Sequence, residues 1–162
     1  MPDLTPLAAS VGALLKERQQ NIAVADSSAG GLISASLLSV PGASAYYVGG
    51  IVSYTGVSRG ALLGISEEDM AKAGMRASTE PYAALIAKTV REKFGTTWAL
   101  SETGASGPTG NRYGDASGHA CFAVSGPVER TITLETRSAD REANMWAFTK
   151  AALELLEQCL KG

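Results

Sequence analysis

One histidine and two cysteines are the only imidazole and thiol groups that the 162-residue sequence offers a metal. Cys121 and Cys159 lie far apart and match no metal-site or redox spacing, so neither a zinc or copper centre nor a dithiol pair can be assembled from them. Carboxylates alone leave a magnesium ion open on these counts, but no metal and no cofactor is expected. Basic residues are few as well. Fourteen Lys and Arg stand against 16 Asp and Glu, for a formal net charge of -2, and they form no runs. That balance gives no footprint for a nucleic-acid backbone. The N-terminus has no basic leader and no long apolar stretch, so a cytoplasmic chain with reduced thiols and no membrane partner is expected. Aromatics make up 6% of the residues. Tyr46, Tyr47 and Trp98 sit inside apolar runs, which reads as core or subunit contact rather than as platforms for stacking bases. The cysteines read as buried, inert thiols.

What is present is a 45% hydrophobic chain of a length that suits one domain spanning residues 1–162. Its elements alternate. Leu4 to Gln19 carries Leu7, Val11, Leu14 and Leu15 at helical spacing, and Asn21 to Ala25 is a short apolar strand. Gly31 to Val40 reads as a helix stopped by Pro41 and Gly42, Ala45 to Tyr54 as a strand bent at Gly49 and Gly50, and Arg59 to Leu63 as a short helix. Ser66 to Ala73 and Glu80 to Phe94 predict two more helices, the second closed by Gly95. Thr97 to Ser101 is a buried strand that opens into a glycine-rich loop from Glu102 to His119. His119 to Ser125 and Thr131 to Glu135 predict a hairpin across "GPVE", and Ala139 to Leu160 a long final helix. Strands interleaved with helices predict a single three-layer α/β/α domain with a mostly parallel or mixed sheet.

Two strand exits, at Ala25 and at Ser101, lead into turns rich in Gly, Ser and Thr. Ligands of open α/β sheets sit at such exits, where amide groups at helix N-termini suit a phosphate. Neither segment is a Walker A loop or a G-x-G-x-x-G fingerprint in context. By local rules alone, Ser27 or Ser28 caps the helix that begins near Gly30.

The run "VADSSAGGLISASLLSVPGASAYYVGGIVSYTGVSRGALLGI", followed by "TEPYA", "ETGASGP" and the helix opened by Asp140 and Arg141, resembles the CinA C-terminal domain family. That resemblance covers essentially the whole chain. It implies a nicotinamide-mononucleotide amidohydrolase of pyridine-nucleotide salvage, which converts a carboxamide to the acid and ammonia through a serine nucleophile. The serine matches Ser27, the family tyrosine matches Tyr54, the family lysine matches Arg59, and the hydroxyl of the second loop matches Thr103. Ser28, Gly30, Gly31, Gly104, Ser106, Gly107, Arg112 and Arg141 are the expected substrate-binding residues. A small-molecule substrate of the pyridine-nucleotide type and a homo-oligomeric assembly are the implied partners.

Amide hydrolysis through serine needs a base, donors for the oxyanion, and a proton for departing ammonia. Backbone N–H groups of Ala29 to Gly31 are the expected donors. A lysine kept neutral could be the base, whereas the guanidinium of Arg59 stays protonated and suits anion binding instead. Ser28 and Ala29 stand where the family has cysteine and threonine, Met145 where many members have a second arginine, and "GNRYGDASGH" introduces Arg112, Tyr113, Asp115 and His119. A second reading therefore stays open, of a divergent or catalytically silent domain that binds a phosphorylated ligand or mediates interactions. His119 reads as a strand-opening residue bonded to a neighbouring carbonyl rather than as the base of a Ser-His-Asp triad.

Overall fold

The computed structural model describes residues 2–162. Six α-helices and five strands follow one another as α1 (Thr5–Glu17), β1 (Ile22–Asp26), α2 (Leu32–Leu38), β2 (Tyr47–Val52), α3 (Gly56–Leu63), α4 (Glu67–Lys72), α5 (Glu80–Phe94), β3 (Trp98–Ala105), β4 (His119–Ser125), β5 (Arg130–Glu135) and α6 (Arg141–Lys161). The sheet runs β2-β1-β3-β4-β5. Its first three strands are parallel, and β4 and β5 add antiparallel neighbours through the expected hairpin. The sheet is thus mixed, with helices on both faces, as the alternating sequence predicted.

Burial follows position in the sheet. Interior strand β4 is buried along its whole length, while edge strand β2 alternates half-buried and exposed residues. On one face, α1, α2 and α6 pack Val11, Leu15, Ile33, Leu37, Phe148 and Leu156 against Ile22, Val24, Trp98, Leu100 and Phe122. On the other, α5 sets Ala83, Ile86, Ala87 and Val90 against Ala23, Ala25, Ala99, Cys121 and Ala123, with Leu63 and Met70 from α3 and α4. Each large apolar side chain fully buried here contributes about 1.5–3 kcal/mol. Small residues on the second face let α5 lie close to the strands.

Helix ends obey local chemistry. Thr79 accepts from the N–H of Tyr82 to start α5, and Gly95 ends it at a φ of 65°. Asp140 accepts from the N–H of Ala143 and so fixes the start of α6, which sets Arg141 at the rim of the sheet's carboxyl end. β3 departs most from expectation. It continues past Ser101 to Ala105, because each of those residues pairs with β4, down to Ala105 opposite His119. Glu102 is therefore a strand residue inside the sheet, not the first residue of a loop. No helix among the described residues is long and apolar enough to cross a membrane.

Candidate active site at the carboxyl ends of β1 and β3

β1 and β3 are parallel neighbours with Ala25 opposite Ser101, so the next residues, Asp26 and Glu102, lie side by side. Both extend the apolar rows of the face covered by α2 and α6, and both are buried, with Glu102 only 2% exposed. After Asp26 the chain makes a tight turn, in which the N–H of Gly30 donates to the carbonyl of Ser27 at 3.0 Å. Gly30 and Gly31 then take φ values of 65° and 89°. Two consecutive left-handed residues are inexpensive only for glycine.

The turn is built around Glu102. Its carboxylate accepts from the N–H of Ser27 at 3.0 Å, from the N–H of Ala29 at 2.8 Å, and from the hydroxyl of Ser28. The N–H of Gly31 donates to Asp26, at 3.0 Å to the nearer oxygen. Two expectations are corrected by these bonds. Neither serine caps α2, which begins after Gly31 without any side-chain cap. Nor are the amide groups of Ala29 and Gly31 open to an oxyanion, since carboxylates already accept from them.

Two buried acids so close cannot both ionise at their ordinary pH. Burial, and then the neighbouring charge of Glu102, push Asp26 up to about 7. Burial also raises Glu102, although its bonds to Ser28, Ala29 and Ser27 oppose the rise. Because the charge of Glu102 is among the causes that raise Asp26, and Glu102 accepts from the Ser28 hydroxyl as well as from two N–H groups, Glu102 is the member held as carboxylate and Asp26 carries the shared proton.

Above this turn lies a cleft of about 300 Å³ lined by Ser27, Ser28, Tyr54, residues 104–107, Thr109, Gly110, Asn111 and Arg141. Arg141 is its one charged side chain among the described residues. It donates to the hydroxyl of Tyr54 at 3.1 Å and to the carbonyl of Gly107. Asn144 fixes the facing loop by donating to the carbonyls of Ser106 and Ser138, at 2.9 and 2.8 Å. The hydroxyl of Ser106 is buried and has no hydrogen-bond partner among the described residues. The peptide between Gly107 and Pro108 is cis.

Of the expected site residues, the cleft brings together Ser27, Ser28, Tyr54, Gly104, Ser106, Gly107 and Arg141. It does not bring together the others. Arg59 is buried in α3, where Glu67 pairs with it at 2.7 Å and the carbonyl of Ile65 accepts from its Nε at 3.2 Å. Thr103 alternates to the opposite face of the sheet from Glu102 and accepts from the N–H of Ser78 at 3.1 Å. Arg112 is exposed beside the ring of Tyr113 and bonds its hydroxyl at 2.9 Å. Gly30 and Gly31 shape the turn but do not line the cleft. Glu102, Asp26, Thr109, Asn111 and Asn144 were not among the expected site residues. One signal was available for the first two. "IAVAD" and "WALSE" are apolar strands that each end on an acid, and adjacent parallel strands place two such ends together.

A second polar cluster lies on the opposite face. His119 opens β4, with Nδ1 on Glu135 and Nε2 donating to the carbonyl of Ser78 at 2.8 Å. Cys121 Sγ is 3.7 Å from Nε2. Asp115 pairs with Arg76 through contacts of 2.7 and 3.2 Å and accepts from Asn111 at 2.8 Å. None of His119, Cys121, Asp115 or Arg76 lines the cleft.

The family model for the CinA C-terminal domain matches residues 4–160. The chain belongs to that family. A CinA-like protein from Gloeobacter violaceus is 35% identical over 159 residues, covering 96% of this chain and 37% of its own length. Another, from Chloroherpeton thalassium, is 37% identical over 165 residues, covering 97% and 38%. The chain thus spans little more than a third of the length of these curated relatives. A CinA superfamily protein from Klebsiella pneumoniae superposes with a TM-score of 0.88 at 22% identity, covering 99% of both chains. A competence/damage inducible protein from Agrobacterium tumefaciens gives 0.86 at 23% identity, covering 100% of this chain and 98% of its own. These structures share the mixed five-stranded α/β fold.

Proposed function

We propose that this chain hydrolyses the carboxamide of a small phosphorylated molecule, nicotinamide mononucleotide first among the candidates, to the acid and ammonia, with a hydroxyl of the Ser27–Ser28 turn as nucleophile. One observation carries the reading. A cleft at the carboxyl ends of parallel strands is lined with hydroxyl groups and holds a single cation, Arg141, at its rim. A guanidinium there matches a phosphate in charge and geometry, while the serine turn at the cleft floor meets the uncharged carboxamide. Membership of the CinA C-terminal domain family supports the same reaction class.

A second reading, ligand binding without turnover, is favoured by a different observation. Among the described residues no lysine or histidine lines the cleft, so nothing of the usual kind takes a proton from Ser27. Ammonia release separates the two. Purified protein given nicotinamide mononucleotide releases ammonia in the first reading; a raised melting temperature with no ammonia supports the second.

Arg141→Ala tests the orientation of the substrate. It raises KM for the mononucleotide by about 10- to 100-fold, the range of a lost charge-assisted bond, and has little effect on the corresponding riboside, which lacks the phosphate. Equal effects on both substrates would place the phosphate elsewhere.

A further inference from the structure

We propose that the reactive oxygen of the turn is that of Ser28, with Glu102 as its general base. The assignment rests on the amide-hydrolase reading and changes which residue performs it.

Ser27 and Ser28 both line the cleft, but only one has a base in contact. The hydroxyl of Ser28 donates to Glu102, whereas that of Ser27 makes no side-chain hydrogen bond among the described residues. Arg59, which stands at the family's lysine position, is locked to Glu67 and Ile65 and cannot substitute for it. Glu102 is held in place by the N–H groups of Ser27 and Ala29, which both donate to its Oε2 and leave Oε1 to Ser28. A base fixed in this way needs no reorganisation when it takes a proton. Burial strengthens it further, because the same apolar surroundings that disfavour its charge make it a better acceptor. Asp26 faces it from β1 and holds the proton that would otherwise neutralise Glu102.

The reaction then balances without any other group. Ser28 Oγ bonds the carboxamide carbon, its proton passes to Glu102, and the carbonyl electron pair moves onto oxygen. Collapse of the intermediate breaks the carbon–nitrogen bond, and the nitrogen takes the proton back from Glu102 and leaves as ammonia. Water next gives a proton to Glu102 while its oxygen bonds the acyl carbon. Ser28 departs with that proton, and the acid is released. The sum is amide plus water to acid plus ammonia.

A fluorophosphonate ester tests the assignment on the full chain independently of the substrate. It forms a phosphorus–oxygen bond with an activated serine and releases fluoride. A single adduct on Ser28, located by peptide mass spectrometry of the wild-type protein, is the expected result. Glu102→Gln slows labelling by about a hundredfold or more. An adduct on Ser27, or none at all, overturns the proposal, and the wild-type mapping does not depend on whether Glu102→Gln folds. Failure of the two readings is distinguishable. Ser28 labelled without ammonia from the mononucleotide removes that substrate and leaves the serine. Ammonia release that survives Ser28→Ala removes the serine and leaves the substrate.

Discussion

The two polar clusters on either side of the sheet differ in a way that residue types alone would reverse. His119 beside Cys121, with Asp115 and Glu135 nearby, has the composition of a nucleophile and its base. The Ser28, Glu102 and Asp26 group has no histidine at all. Yet in the first cluster both imidazole nitrogens already face acceptors, Glu135 and the carbonyl of Ser78, so the ring holds both protons and has no lone pair for the thiol. Burial pushes the Cys121 thiol up, away from thiolate, and the thiol does not line the cleft. In the second cluster the base contacts a hydroxyl that borders an open cleft. Chemistry follows the unfilled valence and the access route. The residue names follow neither.

The sharpest way to break that comparison is by activity. Ser28→Ala lowers ammonia release by about 10³-fold or more, as loss of a nucleophile does. His119→Gln and Cys121→Ser each change it by less than about threefold. A large loss from either of the latter, in protein that melts like the wild type, would make the closed cluster the catalytic one.

Much of the fold was legible because its signals are local. The bounds of α5 follow from Thr79, Glu80 and Gly95, and β4 was readable from His119 to Ser125 as a continuous apolar run. The site was less legible because its decisive contacts are not local. Glu102 meets Ser27 and Ala29 across more than 70 residues of sequence. The glycines after it read as loop, while pairing with β4 keeps the strand going. Arg59 and Thr103 were expected in the site from the resemblance to the family, but Glu67 pairs with the first and the N–H of Ser78 donates to the second, and neither lines the cleft. Matching a position in sequence did not carry the direction of the side chain.

A second contrast concerns pH and stability. Asp26 is raised from 3.8 to about 7 by burial and by Glu102, so the folded protein binds its proton more tightly than the unfolded chain does. Its contribution is fully present below pH 3.8 and is lost as pH rises to about 7. Asp26→Asn, which keeps an oxygen for the N–H of Gly31, removes this slope and stabilises the protein at pH 8 by a few kcal/mol, on the order of 3. Urea unfolding at pH 5 and pH 8 reads it out. An unchanged slope in the variant would show that Asp26 is not the proton carrier of the pair.

His119 acts in a later window and by a smaller amount. Burial pulls its pKa down, but Glu135, the carbonyl of Ser78 and Asp115 outweigh that and leave it above the ordinary 6.5. The imidazolium therefore stabilises the fold fully below pH 6.5, and the benefit fades as pH rises through the raised value. His119→Gln costs about 1–2 kcal/mol at pH 5.5, the worth of hydrogen bonds to a charged group, and less at pH 9. Because Asp115 remains paired with Arg76 in the variant, the loss reports the Glu135 and Ser78 contacts. Equal losses at both pH values would mean that the ring is neutral in the native protein. It would then have a lone pair to offer Cys121, and the closed cluster would regain the one chemical capacity that its geometry denies it.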